Sequence, residues 1–293
     1  MSVYSIKDLE RISNQKAHTI RIWEHRYGLL QPQRTETNIR YYDDTQLKKL
    51  LNVCTLIQRG MKISAISKLS NQEIAEQINL ILSDAQQGDV YIEGVISEIL
   101  IAIATYDAVV FNRLFEGAVE KLGLQKTYVK VIYPLLVRAG LMWSQDDLLP
   151  SQEHFFSNLI RQKLFSAIDA LSVPDNADQT WVLFLYEEED HEIGLLFAYY
   201  IITHYNKKVI YLGARVPYEN LSDVISVCKP THIYTFFVKN APHAEQQRLL
   251  NQLTTDFTDC CICLSGGDPD LPAMQEKNVL HISTVDSLTD LLK

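Results

Sequence analysis

The chain has 293 residues, 47% of them apolar and 22% charged, which excludes a disordered polymer and, at about 150 residues per domain, predicts two domains or more. Its longest apolar stretches, Ile99 to Tyr106 and Gly194 to Thr203, fall short of the roughly 18 residues of a membrane span, and the N-terminus lacks a basic-then-apolar leader, so a cytoplasmic protein with no membrane partner is expected. The net charge of −9 is polarised: residues 1 to 70 hold 12 Lys+Arg against 6 Asp+Glu, and the remainder 15 against 30, which predicts one module for an anionic polymer and another for something else.

Ser5-Ile-Lys-Asp8 has the spacing of a capping box and opens a short helix through Arg11; Asn14 caps a second helix that ends at Gly28, which together predict a helix-turn-helix. Leu29 to Tyr42, with Pro32, polar residues and the pair Tyr41 and Tyr42, fits a small hairpin or wing. An amphipathic helix with Leu47, Leu50, Leu51, Cys54 and Leu56 on or near its buried stripe runs to Gly60, and a short helix starts at Ser64. Ile74 to Ala85 is either a pairing helix or a plain connector. From Gln72 to Leu171 apolar residues recur every three or four positions, predicting an all-α four-helix bundle of Ile92 to Ala104, Val109 to Leu122, Tyr128 to Trp143 with a kink at Pro134, and Gln152 to Leu171. Ser172 to Gln179 has a linker's composition. Five short apolar runs then alternate with helical stretches: Trp181 to Tyr186, Val209 to Leu212, His232 to Val238, Ile262 to Leu264 and Val279 to Ile282. They predict an α/β, Rossmann-like, doubly wound parallel sheet. The expected domains are residues 1–70, 76–172 and 179–293. The last has four glycines in the region of its loops, Gly194, Gly213, Gly266 and Gly267, and neither a dinucleotide fingerprint nor a P-loop.

The second helix offers Lys16, Thr19, Arg21, His25 and Arg26, and the wing Arg34, Arg40, Tyr41 and Tyr42, a mixture of phosphate donors and groups able to reach base edges. Tyr4-Ser-Ile, Thr19-Ile-Arg-Ile-Trp-Glu24, Tyr27-Gly-Leu-Leu-Gln-Pro32, Arg34 and Arg40-Tyr-Tyr42 resemble the winged helix-turn-helix of the MerR family over roughly the first 70 residues. Asn38-Ile39 stands where many members have a glycine before the wing arginine. The resemblance implies double-stranded operator DNA as partner and self-association as a dimer or tetramer. The bland alternative pairs Arg21 with Glu24 and places Trp23 and Tyr27 in the core.

MerR-type heads raise metal sensing by soft thiolates, but Cys54 is alone in the head, and Cys260-Cys-Ile-Cys263 lies on a predicted strand whose alternation sends its cysteines to opposite faces. Free buried thiols are expected for Cys54, Cys228, Cys260, Cys261 and Cys263. A stronger constellation follows the first strand of the sheet: Glu189-Asp-His191-Glu-Ile-Gly194 puts an imidazole at the ligand-binding edge, three residues before a glycine that starts a helix. It resembles the axial-ligand motif of cobalamin-binding domains, which implies His191 as cobalt ligand, Glu189 as the carboxylate that orients it, and Gly194 as room for the cofactor's tail. Leu264-Ser-Gly-Gly267 resembles the double glycine that admits the dimethylbenzimidazole tail, so Gly266 and Gly267 join the site. Thr235, before Phe236 and Phe237, stands where a Ser-x-Leu element is usual, and Tyr211-Leu-Gly-Ala-Arg-Val-Pro217 is also similar to the family.

In the helical block, Trp143 precedes Glu153-His154 with the spacing of the W-x9-EH signature of light-responsive, adenosylcobalamin-dependent repressors of the CarH and LitR type. The resemblance implies an indole over the cofactor's upper face and a carboxylate and imidazole bonded to its adenosyl group. Ser144 stands where a histidine follows the tryptophan in the best-known light sensors. The expected function is therefore a DNA-binding transcriptional regulator, a repressor rather than an enzyme, controlled by adenosylcobalamin and in one version by light. Two other readings stand beside it: a regulator that keeps the fold but answers to another ligand or a protein, and a component of a corrinoid enzyme.

Overall fold

The computed structural model describes residues 4–13, 15–34, 40–58, 60–83, 88–143, 149–172, 177–238, 243–267 and 271–293, and the chain divides into two compact units, Met1–Phe156 and Ser157–Lys293. Asn14, Asn38, Ile39, Ser144 and part of the linker lie outside the described residues.

The first unit opens with α1 (Ile6–Ser13) and α2 (Ala17–Tyr27). The Ser5/Asp8 capping box closes in both directions, the Asp8 amide donating to Ser5 Oγ and the Ser5 amide to the Asp8 carboxylate. Gly28 ends α2 in the left-handed region, φ 61°, where its amide donates to the Glu24 carbonyl. The wing is a minimal antiparallel pair, β1 (Gln33–Arg34) and β2 (Arg40–Tyr41), and Tyr42 bridges back to Tyr4. Then come α3 (Asp44–Gln58), α4 (Ile63–Ile66) and α5 (Asn71–Ser83). The head and the helices after it share this unit, and Thr55 on α3 meets Ser97 on α6 (Gly88–Ala104) with hydroxyl oxygens 3.3 Å apart.

Asp107 caps α7 (Ala108–Leu122), accepting from the amides of Val109 and Val110 at 3.0 Å. The third bundle segment is expected as one helix kinked at Pro134. It comprises α8 (Leu124–Thr127), a π-helical turn at Tyr128–Ile132, and α9 (Tyr133–Trp143). The wide turn lies where the proline, lacking an N–H, cannot close a bond to the preceding turn. Last is α10 (Pro150–Asp169), whose start is stitched to the end of α6: Gln152 donates to the Ala104 carbonyl at 3.2 Å, and Tyr106 and Ser151 share a 2.6 Å bond. Among the described residues, no helix is long and apolar enough to cross a membrane.

The second unit holds the sheet of β3 (Thr180–Tyr186), β4 (Lys208–Val216), β5 (His232–Phe237), β6 (Cys261–Gly266) and β7 (Val279–His281), all parallel, in the order β4-β3-β5-β6-β7. Between and after the strands lie α11 (Ile193–His204), α12 (Leu221–Cys228), α13 (His243–Asp256) and α14 (Val285–Leu292). Alternation divides the strands between two faces. Phe184, Ile233, Phe237 and Leu264 pack with Leu221 of α12 and Leu249, Leu250 and Leu253 of α13. The other face carries an aromatic column in which Trp181 stacks on His232 with centroids 4.1 Å apart and meets Tyr234, which in turn meets Phe236. The β4-β3-β5 order puts the reversal of strand order at β3, and ligands bind outside the carboxyl ends of strands at such a point.

The cysteines are free: Cys54, Cys260 and Cys263 are buried, Cys228 and Cys261 half-buried. Burial pushes the Cys54 thiol up to about 12, as suits an inert core thiol. Cys261 and Cys263 share one face and their thiols hydrogen-bond, so the cluster is only partly split between faces.

Burial, with Lys207 adding, holds His232 down at about 4, below the usual value of about 6.5. The unfolded chain therefore takes the proton first, and the stability of the neutral stacked ring, full above pH 6.5, is lost as pH falls from 6.5 to 4. His232→Phe, which keeps the stack on Trp181, should flatten the decline of the urea midpoint across that window.

Candidate functional site

Two regions gather the expected functional side chains, one in each unit. In the first, α2 buries Ile20 and Trp23 and turns His18, Arg21, Ile22 and His25 outward, at the i, i+3, i+4, i+7 spacing of one helical stripe. With Arg26 they form one exposed patch. Lys16 and Arg34 are exposed, and Thr19 is half-buried. Glu24, the partner that the bland alternative gives to Arg21, is taken instead by the wing: Arg40 Nε donates to it at 3.0 Å and the Tyr42 hydroxyl at 2.9 Å. Tyr42 has no exposed surface and burial raises its pKa far above the phenol range, with Glu24 adding, so its expected place on the DNA face is corrected. It roots the wing. Tyr41, half-buried, donates to Gln33 across the hairpin at 2.6 Å. His18 and Ile22 were legible as stripe members from their spacing but carry no charge pattern to single them out.

In the second unit the turn after β3 builds a cage around one carboxylate. Glu189 is fully buried. Its Oε1 accepts from the amides of Asp190 at 3.0 Å and His191 at 3.1 Å and from His191 Nδ1 at 2.7 Å, while Oε2 accepts from the Val238 amide at 2.9 Å, just past β5. The carboxylate thus ties the end of β3 to the end of β5 across the switch point. It also decides the tautomer: with Nδ1–H committed, the imidazole lone pair falls on Nε2 of a half-exposed ring. From the other side, β4 bulges at its end, with Gly213 and Arg215 at positive φ. Arg215 donates its amide to the Glu189 carbonyl at 3.2 Å and its guanidinium to Asp190 at 2.7 Å. Glu192, next after His191, takes Arg161 of α10 at 3.1 Å and the Tyr211 hydroxyl at 3.0 Å. Sequence reasoning missed these anchors because their partners lie 19 to 31 residues away. Among the described residues, Glu189, Asp190 and His191 are the group whose ligand atoms come close enough to share one ion.

The other expected members divide. Gly194 lies in the first turn of α11, where a Cβ would stand 3.1 Å from the Phe236 ring. Gly266 and Gly267 take φ of 71° and 70°, and a Cβ on Gly266 would lie 2.1 Å from the Phe237 carbonyl oxygen, so the pair is required by its close approach to β5. Thr235 needs correction: it is fully buried between Phe184 and Leu264 on the α12/α13 face, away from Gly194, and its hydroxyl finds no hydrogen-bond partner among the described residues. In the first unit, Trp143 is the last residue of α9, its side chain outside the described set. Glu153 and His154 form a 2.8 Å pair in the first turn of α10, 37% and 72% exposed.

The donor chemistry fits a cobalt atom offered to Nε2 of an oriented histidine. The sheet face beside Gly194 does not fit an inserted nucleotide tail, because the Phe236 ring fills it. Thr235→Val should leave the protein unharmed or more stable by about 1 kcal/mol, since it removes an unsatisfied buried hydroxyl at constant shape. Destabilisation in a urea melt would show instead that the hydroxyl is used.

Comparison with known proteins places two family models on the chain, both ending before the sheet of the second unit. Residues 4–73 match the MerR HTH family regulatory protein model and residues 95–166 the B12 binding domain model. The chain is 30% identical to the HTH-type transcriptional repressor CarH of Myxococcus xanthus, over 78% of this chain and 77% of that one. It is 26% identical to the HTH-type transcriptional repressor CarA of the same organism, over 80% and 76%. The monomethylamine corrinoid protein of Methanosarcina barkeri superposes with a TM-score of 0.56 at 12% identity, covering 67% of this chain and 96% of that one, a likeness of fold alone. The chain therefore belongs to the family of the transcriptional repressor CarH, in which a MerR-type helix-turn-helix is joined to a B12-binding domain.

Proposed function

We propose that this chain is a transcriptional repressor whose hold on operator DNA is set by a corrinoid ligated at His191. The observation that carries the reading is the Glu189–His191 pair at the switch point of the sheet, in one chain with an outward basic stripe on α2. The relatives named as repressors support the same output.

In this reading α2 enters the major groove. Arg21, His25 and Arg26 supply base and phosphate donors, with Lys16, Thr19 and His18 at the flank of the helix, while Arg34 and Arg40 of the wing face the adjacent backbone. Glu24 holds Arg40 and Tyr42 so that the wing keeps its angle to α2. A palindromic operator would be read by two or four heads, and self-association multiplies their modest individual affinity.

In the second unit Glu189 keeps the proton on Nδ1, and His191 presents Nε2 to the metal. Trp143, Glu153 and His154 are the side chains proposed for the upper ligand, with the adenosylated form favouring the assembled, DNA-bound state. When bound, such a group supplies a weak cobalt–carbon bond that light breaks. Ser144 after Trp143 would offer no imidazole to the metal.

A regulator that answers to another ligand or a protein is the second reading, favoured by the aromatic filling beside Gly194. A corrinoid enzyme would leave the basic stripe of the head without a role.

The deciding experiment compares absorbance and operator gel shift, in darkness and after illumination, for the wild type and His191→Ala. Loss of the corrin bands and of ligand-dependent retardation in the variant supports the reading; identical behaviour of the two proteins rejects it. Independently, Arg21→Ala should weaken operator binding and reduce the salt slope by about 0.9 if the lost contact is to phosphate. An unchanged slope and affinity would remove α2 from the DNA.

A further inference from the structure

The axial pair and the tail cleft do not agree with each other in this chain. The pair is complete: a fully buried carboxylate, fixed by three backbone amides, holds His191 Nδ1 at 2.7 Å. The space between α11 and the sheet is filled from its mouth inward. At the mouth, Phe236 lies against the first turn of α11, so close that a single methyl on Gly194 would approach its ring carbons to 3.1 and 3.3 Å. Behind it, Tyr234 is 1% exposed with its ring centroid 4.9 Å from that of Phe236, and its hydroxyl is fixed to Ser265, which itself donates to the Ile282 carbonyl. Further in, fully buried Trp181 closes the column. The double glycine does not reopen the space. The Gly267 amide donates to the Phe237 carbonyl at 3.2 Å, and Gly266 passes that same oxygen too closely for any side chain.

We propose that this domain selects a corrinoid without a nucleotide tail, of the cobinamide class, over intact cobalamin, and that Phe236 sets the selection. The inference rests on the reading of His191 as cobalt ligand. A tailed corrinoid keeps its own benzimidazole on the lower face of cobalt unless that base is given somewhere to go. Where the cleft is packed with aromatic rings, displacing the base means leaving it in solvent or driving out Phe236, and packed interiors resist such insertion. A tailless corrinoid has no competing base, so Nε2 of His191 meets only water at the lower position. The discrimination is by exclusion: nothing here attracts the tailless ligand more strongly, and the tailed one carries an added cost.

The test uses the full-length chain, titrated in darkness with diaquacobinamide and with aquacobalamin, following the corrin bands and pigment co-elution in gel filtration. Wild type should bind cobinamide at least about tenfold more tightly, with the spectral shift of imidazole ligation lost in His191→Ala. Phe236→Ala, which opens the mouth while Tyr234 and Trp181 stay in place, should narrow the preference for cobinamide by at least about threefold, and an unchanged preference would remove Phe236 as its cause. Equal wild-type affinity for the two corrinoids overturns the selection but leaves the ligand role of His191 standing. If neither pigment binds, both the selection and the ligand reading fall. The wild-type comparison needs no variant, so a Phe236→Ala protein that fails to fold does not rescue the proposal, and Phe236→Leu gives the same comparison with a smaller opening.

Discussion

The second unit depends on a single buried anion. A carboxylate taken wholly out of water is costly unless its lone pairs are all met, and Glu189 meets them with three backbone amides and one imidazole. Those four bonds do the structural work of closing the β3 turn, joining it to the end of β5, and choosing the tautomer of His191. Any substitution at Glu189 therefore loosens the strand ends and the ligand geometry together. Because function and folding share these bonds, a positioning role is separable from a structural one only through a readout at the metal.

The head uses the same device on a smaller scale. Glu24 lies between α2 and the wing, and its two oxygens are divided between a guanidinium and a buried phenol. One carboxylate thereby fixes the angle between the two elements that a winged helix must present together, and it removes Arg40 and Tyr42 from the stock of freely swinging donors. The outward stripe of His18, Arg21, Ile22 and His25 stays exposed on the opposite side of α2 from Ile20 and Trp23.

Much of this was legible in the sequence. Capping residues and apolar spacing located most helix boundaries to within a few residues, and four of the five strand windows nearly coincide with their strands. The β4 window stopped at Leu212 because Gly213-Ala-Arg215 has no apolar alternation; the strand continues to Val216 through a bulge. The Glu189–His191 pair was legible because both partners are local. Assignments that need register were not: Thr235 and Phe236 differ by one residue, and in a strand one residue decides the face. Arg40 with Glu24, and Arg161 with Glu192, join segments whose approach no local pattern encodes. The side chain of Trp143 and the whole of Ser144 lie outside the described residues.

The aromatic column bears on how a signal could arise. A tail-shaped apolar cleft left empty would cost stability in proportion to its volume, on the order of 24 cal/mol per Å³. A domain built around such a cleft gains order when ligand fills it, and that gain can drive a change of assembly. Here Phe236, Tyr234 and Trp181 already supply the packing, so this unit has little ordering left to gain. Whatever free energy a bound corrinoid contributes must then come from the ring, at His191, and from the groups that meet its upper ligand. A signal of that kind is gained or lost with one or two contacts, whereas a cleft that orders on filling spreads its signal over a whole core.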